Sequence, residues 1–383
     1  MPETIDPARM KRNVWLLFCC QALMGASMIG QVAMGALIGH SLAEDKSLAT
    51  LPMALQMLAT MCASIPAGIV FARFGRRAGF MMGAAGALAG SLIFGLGFGI
   101  SQHYRFAAAE VATASYRPRA IALVMAGGIA SAVIGPELVK HSKDLLPPFL
   151  FLGTYLMLAL LPPVCMAILM VVDLPPAPPR PKVATPVIDI LRRPAFMTAA
   201  LAGMVAYGTM NLVMTSTPLE MMLCGFGVGA SATVIQAHAV AMFAPGFVTG
   251  RLITRFGLRR VIVAGAVLTA GCAAVAVTCR SFAHFSVALI LLGIGWNFMF
   301  VGATQLLATA HAPEERVRAQ AANDVLVFGT VACTAFASGA VHDRAGWEAL
   351  NLATVPALVL ALAVLGWQAW RARVARPAPG GAA

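Results

Sequence analysis

The sequence predicts an all-α, polytopic membrane bundle, and three observations carry that reading. Hydrophobic residues make up 60% of the chain and charged residues only 11%. Apolar runs repeatedly reach the ~18–20 residues that a helix needs to cross a bilayer core. The Lys and Arg residues, which leave a formal net charge of +12, gather in alternate loops and at both ends of the chain. That is the positive-inside pattern of a multispan protein. It places the basic loops and both termini in the cytoplasm, and it accounts for the charge without a nucleic-acid partner.

The first apolar run, 14–38, far exceeds the ~7–15 residue core of a secretory signal, so it predicts a retained transmembrane helix. Further spans follow at 47–72, 116–139, 148–172, 195–219, 228–250, 260–279, 283–307, 322–341 and 347–370. The region 79–115 is ambiguous. Its flanking charges look cytoplasmic on both sides, so the chain between them must cross an even number of times. Two crossings need ~40 residues plus a turn, and 37 are available. Either two short helices turn near Gly95, Gly97 and Gly99, or one helix has been lost. Eleven apolar blocks are clear. The Pro-rich linker 173–193, ending on basic residues, divides an N-terminal bundle, 1–172, from a C-terminal bundle, 194–383.

Two helical spacings carry candidate chemistry. Met210-x-x-x-Met214 lies in one apolar stretch and His238-x-x-x-Met242 in the next, and a spacing of four puts both members of a pair on one helix face. Thioether sulfur and neutral imidazole are soft to borderline ligands, suited to Cu(I) rather than to Mg²⁺ or Ca²⁺. Methionine is also an adaptable core filler, so Met53, Met57 and Met61 are secondary metal candidates only. The eight cysteines show no Cys-x-x-Cys spacing and read mostly as small apolar packers. Cys224, between the two motif helices, is kept as a candidate metal or redox contact. Polar residues inside the membrane are costly, which singles out Arg105, Glu110 and Asn297 as candidate cavity groups. No zinc-protease, phosphate-loop or nucleophile-elbow motif argues for an enzyme.

A repeated loop adds a family resemblance. Gly68-x4-Arg73-Phe-Gly75-Arg76-Arg77 matches Gly250-x4-Arg255-Phe-Gly257-Leu258-Arg259-Arg260, each copy falling at a short turn between apolar spans. The pattern resembles the gating-loop motif of the major facilitator superfamily, except that its usual aspartate is Ala72 in one copy and Thr254 in the other. The resemblance implies twelve helices in two related halves around a cavity that opens alternately to each side. The Met and His motifs, with Pro245-Gly246 and Trp296-Asn297-Phe298, resemble more narrowly the bacterial copper importers of this superfamily that supply cbb-type cytochrome oxidase. By that resemblance Met210, Met214, His238 and Met242 would pass copper inward as a relay of weak sites across the bacterial inner membrane. Copper would be the transported substrate, with no prosthetic group and with a copper chaperone as a partner. Relatives on the same scaffold include carriers of riboflavin and other organic solutes, which is the alternative. A non-transporting metal-binding homologue is a further one.

Overall fold

The computed structural model describes residues 6–63, 77, 80–82, 98, 100–101, 103–113, 116–148, 151–174, 186–312 and 315–374. In the first half, α1 (Pro7–Leu42) leads through a short 3-10 turn at Lys46–Leu48 to α2 (51–63). After these come α3 (Tyr104–Val111), α4 (Arg117–Ser142) and α5 (Leu152–Val171). The second half holds α6 (Val187–Leu191), α7 (Pro194–Leu223), α8 (Val228–Phe243), α9 (Gly246–Phe256), α10 (Leu258–Ala276), α11 (Phe282–Ala308), α12 (Arg316–Leu352) and α13 (Thr354–Val374). Seven helices among the described residues are long and apolar enough to span a membrane, or eight when the bent pair α8 and α9 counts as one. One of those seven is the 54-residue run Arg318–Arg371. The sequence reads two spans there, and Gly346, at φ 81°, breaks the helix between them. Most of 79–97 and all of 175–185 lie outside the described residues, as do the crossings expected there.

The helices start and stop where local chemistry directs. Asp6 accepts a 3.0 Å hydrogen bond from the Ala8 amide ahead of Pro7, whose missing N–H costs nothing at the first helical position. Gly257, at φ 90°, supplies the left-handed turn that lets α9 run directly into α10. Arg251, Arg255, Arg259 and Arg260 stand exposed around that turn.

Small residues let the backbones approach, the usual device where lipid removes the hydrophobic drive between helices. A Cβ on Gly135 of α4 would stand 2.6 Å from the Ala26 carbonyl of α1, and one on Gly127 would stand 2.7 Å from the Phe18 carbonyl. Between these two glycines Ser131 donates to the Ala22 carbonyl at 3.1 Å. In the second half Gly295 of α11 meets Gly265 and Thr269 of α10 in the same way. The halves touch where α4 packs on α8, with Gly128 against the Phe243 ring and Lys140 donating to Gln236 at 3.0 Å. They also touch where the Gly339 amide of α12 donates to Thr50 at 3.0 Å.

Candidate functional site

A cavity lies between α1, α4, α7, α8, α11 and α12, with an empty volume of about 1230 Å³ counting the part open to solvent. Helical spacing builds its wall. Gln21, Gly25, Met28 and Val32 line it from α1, and Tyr207, Met210, Asn211 and Met214 from α7, at steps of three and four that keep each set on one face. From α8 come Ile235, Ala239, Met242 and Phe243, and from α11 Trp296 and Phe300.

One side of the cavity is an aromatic cluster. Trp296 stacks on Phe300 one turn later, with centroids 5.0 Å apart and planes 13° apart. The Tyr207 ring meets both edge-on at 5.3 Å, and Phe328 of α12 lies 5.7 Å from Tyr207. Phe243 approaches Trp296 at 6.2 Å. Sequence reasoning missed this cluster, although Trp296 and Phe300 carry the same four-residue spacing that drew attention to the methionines.

The candidate metal ligands divide. Met210, Met214 and Met242 line the cavity, together with Met28, Met57 and Met125. Met53 is buried beside Met57 in the same core, and Met61 reaches Gly329 across the interface between the halves. His238 does not join them at the cavity wall. It is fully buried, its Nδ1 bonded at 2.7 Å to the Leu289 carbonyl of α11, so its ring is turned into the seam between α8 and α11. The carbonyl fixes the proton on Nδ1, which leaves the Nε2 lone pair buried with no partner among the described residues. Among the described residues no three His, Cys, Asp or Glu side chains converge on a metal position.

Asn297 is absent from the cavity wall and hydrogen-bonds between helices, bridging a break in the helix path. Helices α8 and α9 meet at 43° around Pro245-Gly246, where proline lacks an amide and backbone carbonyls lose their helical partners. The Asn297 Nδ2 donates to the Met242 carbonyl at 2.6 Å, and its Oδ1 accepts from Thr249 Oγ1 at 2.6 Å. This side chain holds the two segments at their angle and supplies one freed carbonyl with a donor.

Cys224 lies at the far end of α7, away from the cavity wall, and donates through sulfur to Glu220 at 3.7 Å. Burial and the Glu220 charge push its thiol pKa up, which disfavours the thiolate that a metal or redox role requires. Glu220 in turn accepts from His342 at 2.8 Å and pairs with Arg280 at 3.2 Å, tying α7 to α12 and to the turn between α10 and α11. At the opposite end Arg193 holds Glu315 through paired contacts of 2.6 and 2.8 Å, and that carboxylate raises the guanidinium pKa further.

Of the expected gating loops, Gly68, Arg73, Gly75 and Arg76 lie outside the described residues. Arg77 is exposed and donates to the Met170 carbonyl of α5. In the second copy Gly250 has open space around its α-carbon, Arg255 lies over the Phe256 ring at 5.3 Å, and Gly257 and Arg259 form the turn described above. Arg105 and Glu110 belong to α3, but their side chains lie outside the described residues.

The chain's relatives agree with this architecture. The Major Facilitator Superfamily model matches residues 200–383. The riboflavin transporter RfnT of Brucella anthropi is 38% identical over 94% of this chain and 96% of its own length. The uncharacterized MFS-type transporter YddS of Bacillus subtilis is 26% identical over 93% of this chain and 91% of its own. The crystal structure of the human organic anion transporter MFSD10 has the same fold, with a TM-score of 0.73 at 13% identity, covering 94% of this chain and all of that one. With its helical spans, central cavity and near full-length likeness to these transporters, the chain belongs to the major facilitator superfamily and is a multi-pass membrane transporter rather than an enzyme.

Proposed function

We propose that this transporter carries a planar aromatic solute of the riboflavin type across the bacterial cytoplasmic membrane by alternating access. The observation that carries the reading is the wall of Tyr207, Trp296, Phe300 and Phe328 on one side of the cavity. Such a wall offers flat and edge-on contacts to a fused ring system, while Met28, Met57, Met210, Met214 and Met242 supply an adaptable apolar surface opposite and beside it. The likeness to a riboflavin transporter over nearly the whole chain supports the same solute class.

Copper import is the second reading, favoured by the cluster of cavity methionines and by the unpaired Nε2 of His238. A metal-bound imidazole commonly donates its other nitrogen to a carbonyl, as His238 does to Leu289. Its weakness is that the imidazole faces the seam while the thioethers face the cavity.

One experiment separates the two. Flavin uptake and cellular copper are measured in the same deletion strain, with and without the restored gene. Gene-dependent riboflavin accumulation with unchanged copper supports the flavin reading. Gene-dependent copper accumulation without flavin uptake overturns it and restores the copper relay.

A further inference from the structure

Most polar side chains around the cavity are committed to holding helices together. Asn211 donates to the Val331 carbonyl at 3.1 Å and accepts from Thr215, and Ser131 donates to the backbone of α1. Gln21 and Trp296 are different. Both line the cavity. The Gln21 carboxamide is partly exposed and makes no hydrogen bond among the described residues. The Trp296 indole N–H is buried and has no partner among the described residues, although an indole N–H in that position ordinarily finds one.

The two residues lie on opposite sides of the interface between the halves, linked through the packing of α4 on α8. A Cβ on Gly127 would lie 3.0 Å from the Gln21 Cβ, and one on the next residue, Gly128, would lie 2.6 Å from the Phe243 ring. That ring is the neighbour of Trp296, 6.2 Å away. A solute lying against the aromatic wall therefore has an uncommitted carboxamide, that of Gln21, on the α1 side of the cavity.

We propose that Gln21 reads the hydrogen-bonding edge of a planar heteroaromatic solute, its carboxamide pairing with an adjacent ring C=O and N–H while the rings lie against the aromatic wall. The inference rests on the flavin-type reading above and assigns its specificity to Gln21. A carboxamide presents a donor and an acceptor on one edge, and a lactam or imide presents the complementary pair. The pyrimidine ring of a flavin carries such an imide. A solute without that edge leaves the carboxamide unpaired in a closing cavity, and sites built to bond a polar group discriminate strongly against analogues that lack it.

The test compares riboflavin with its N3-methylated analogue, in which the imide N–H is replaced by a methyl group. Dissociation constants are read from the quenching of flavin fluorescence on the purified full chain in detergent. The wild type is expected to bind the methylated analogue about tenfold more weakly, the scale of one hydrogen bond. Gln21→Met, near in shape and without hydrogen-bonding capacity, removes both bonds from riboflavin but only the C=O bond from the analogue, so it should weaken riboflavin about tenfold more than the analogue and the discrimination disappears. Trp296→Phe keeps a ring in the stack and should weaken both ligands alike. Equal binding of both flavins by the wild type overturns the edge reading while leaving the flavin carrier intact. Persistence of the tenfold difference in Gln21→Met overturns it as well. Should that variant not be recovered folded, Gln21→Leu reads the same loss of the carboxamide. Failure of the wild type to bind either flavin removes the carrier reading and the edge reading with it.

Discussion

Replacing Asn297 with leucine removes the side chain that spans the α8–α9 break while keeping a similar volume. Two short bonds go, the 2.6 Å donation to the Met242 carbonyl and the 2.6 Å acceptance from Thr249. Thr249 keeps its 2.8 Å bond to the Pro245 carbonyl, so it is not stranded. The Met242 carbonyl has no such reserve, because Pro245-Gly246 interrupts the helix just beyond it. Hydrogen bonds between membrane helices contribute ~0.6–2 kcal/mol each, and a stranded buried acceptor costs ~1–3 kcal/mol. The worked loss is about 2 kcal/mol. Asn211→Leu makes a comparison within the same chain: its donor bonds of 3.1 and 3.3 Å are longer and join α7 to a stretch of α12 well before its break at Gly346, so its loss should be smaller. Thermal unfolding of the purified proteins in detergent should rank them wild type, Asn211→Leu, Asn297→Leu from most to least stable, with solute uptake reduced in the last. An Asn297→Leu protein that melts and transports like the wild type would refute the assignment of this side chain to the break.

The close approach of α1 and α4 gives a second prediction. Gly135→Ala places a Cβ 2.6 Å from the Ala26 carbonyl, a backbone atom that cannot swing aside, and overpacking of this kind costs ~1–3 kcal/mol. Gly366→Ala, with nothing within 4 Å, should be neutral or slightly stabilising through helix propensity, and the same melting assay reads both. A third concerns Cys224, whose thiol pKa is raised by burial and by Glu220. A raised pKa means fewer thiolates at neutral pH and a labelling rate that keeps climbing above the ordinary thiol range near ~8.5. Maleimide should therefore modify Cys224 more slowly than exposed Cys279 at pH 7, and fast labelling of Cys224 at that pH would contradict the environment described.

What the sequence disclosed follows from which interactions are local. Apolar run length located the spans, but α1 begins at Pro7, well before the apolar run at 14. Basic residues such as Arg9, Lys11 and Arg12 extend a membrane helix because their long stems reach the headgroups, so hydropathy stops short of the helix end. The break in α8–α9 was written in Pro245-Gly246, yet 228–250 read as one span because composition is continuous across the break and only the Asn297 bridge reveals it. The Glu220–His342 pair could not be read at all. His342 falls just past the end of the apolar span 322–341, and its partner is 122 residues away on another helix.

The two motif pairs show how far spacing alone can be carried. A step of four residues turns an α-helix by about 400°, leaving about 40° between the two side chains. On α7 that offset is absorbed, and Met210 and Met214 both reach the cavity because their helix faces it broadly. On α8 the cavity face is centred on Ile235, Ala239 and Met242. At about 100° per residue, Met242 falls about 20° from Ile235, whereas His238 falls about 60° away on the same side. Helix α11 occupies that side, with Gly293 letting it come close enough that a Cβ there would stand 2.6 Å from the His238 carbonyl. The imidazole is thus captured by the Leu289 carbonyl, while the thioether one turn later stays with the cavity. A shared-face argument therefore holds for two ligands only where the face is wider than their offset. On α8, the packing of a third helix decides which member of the pair reaches the cavity wall.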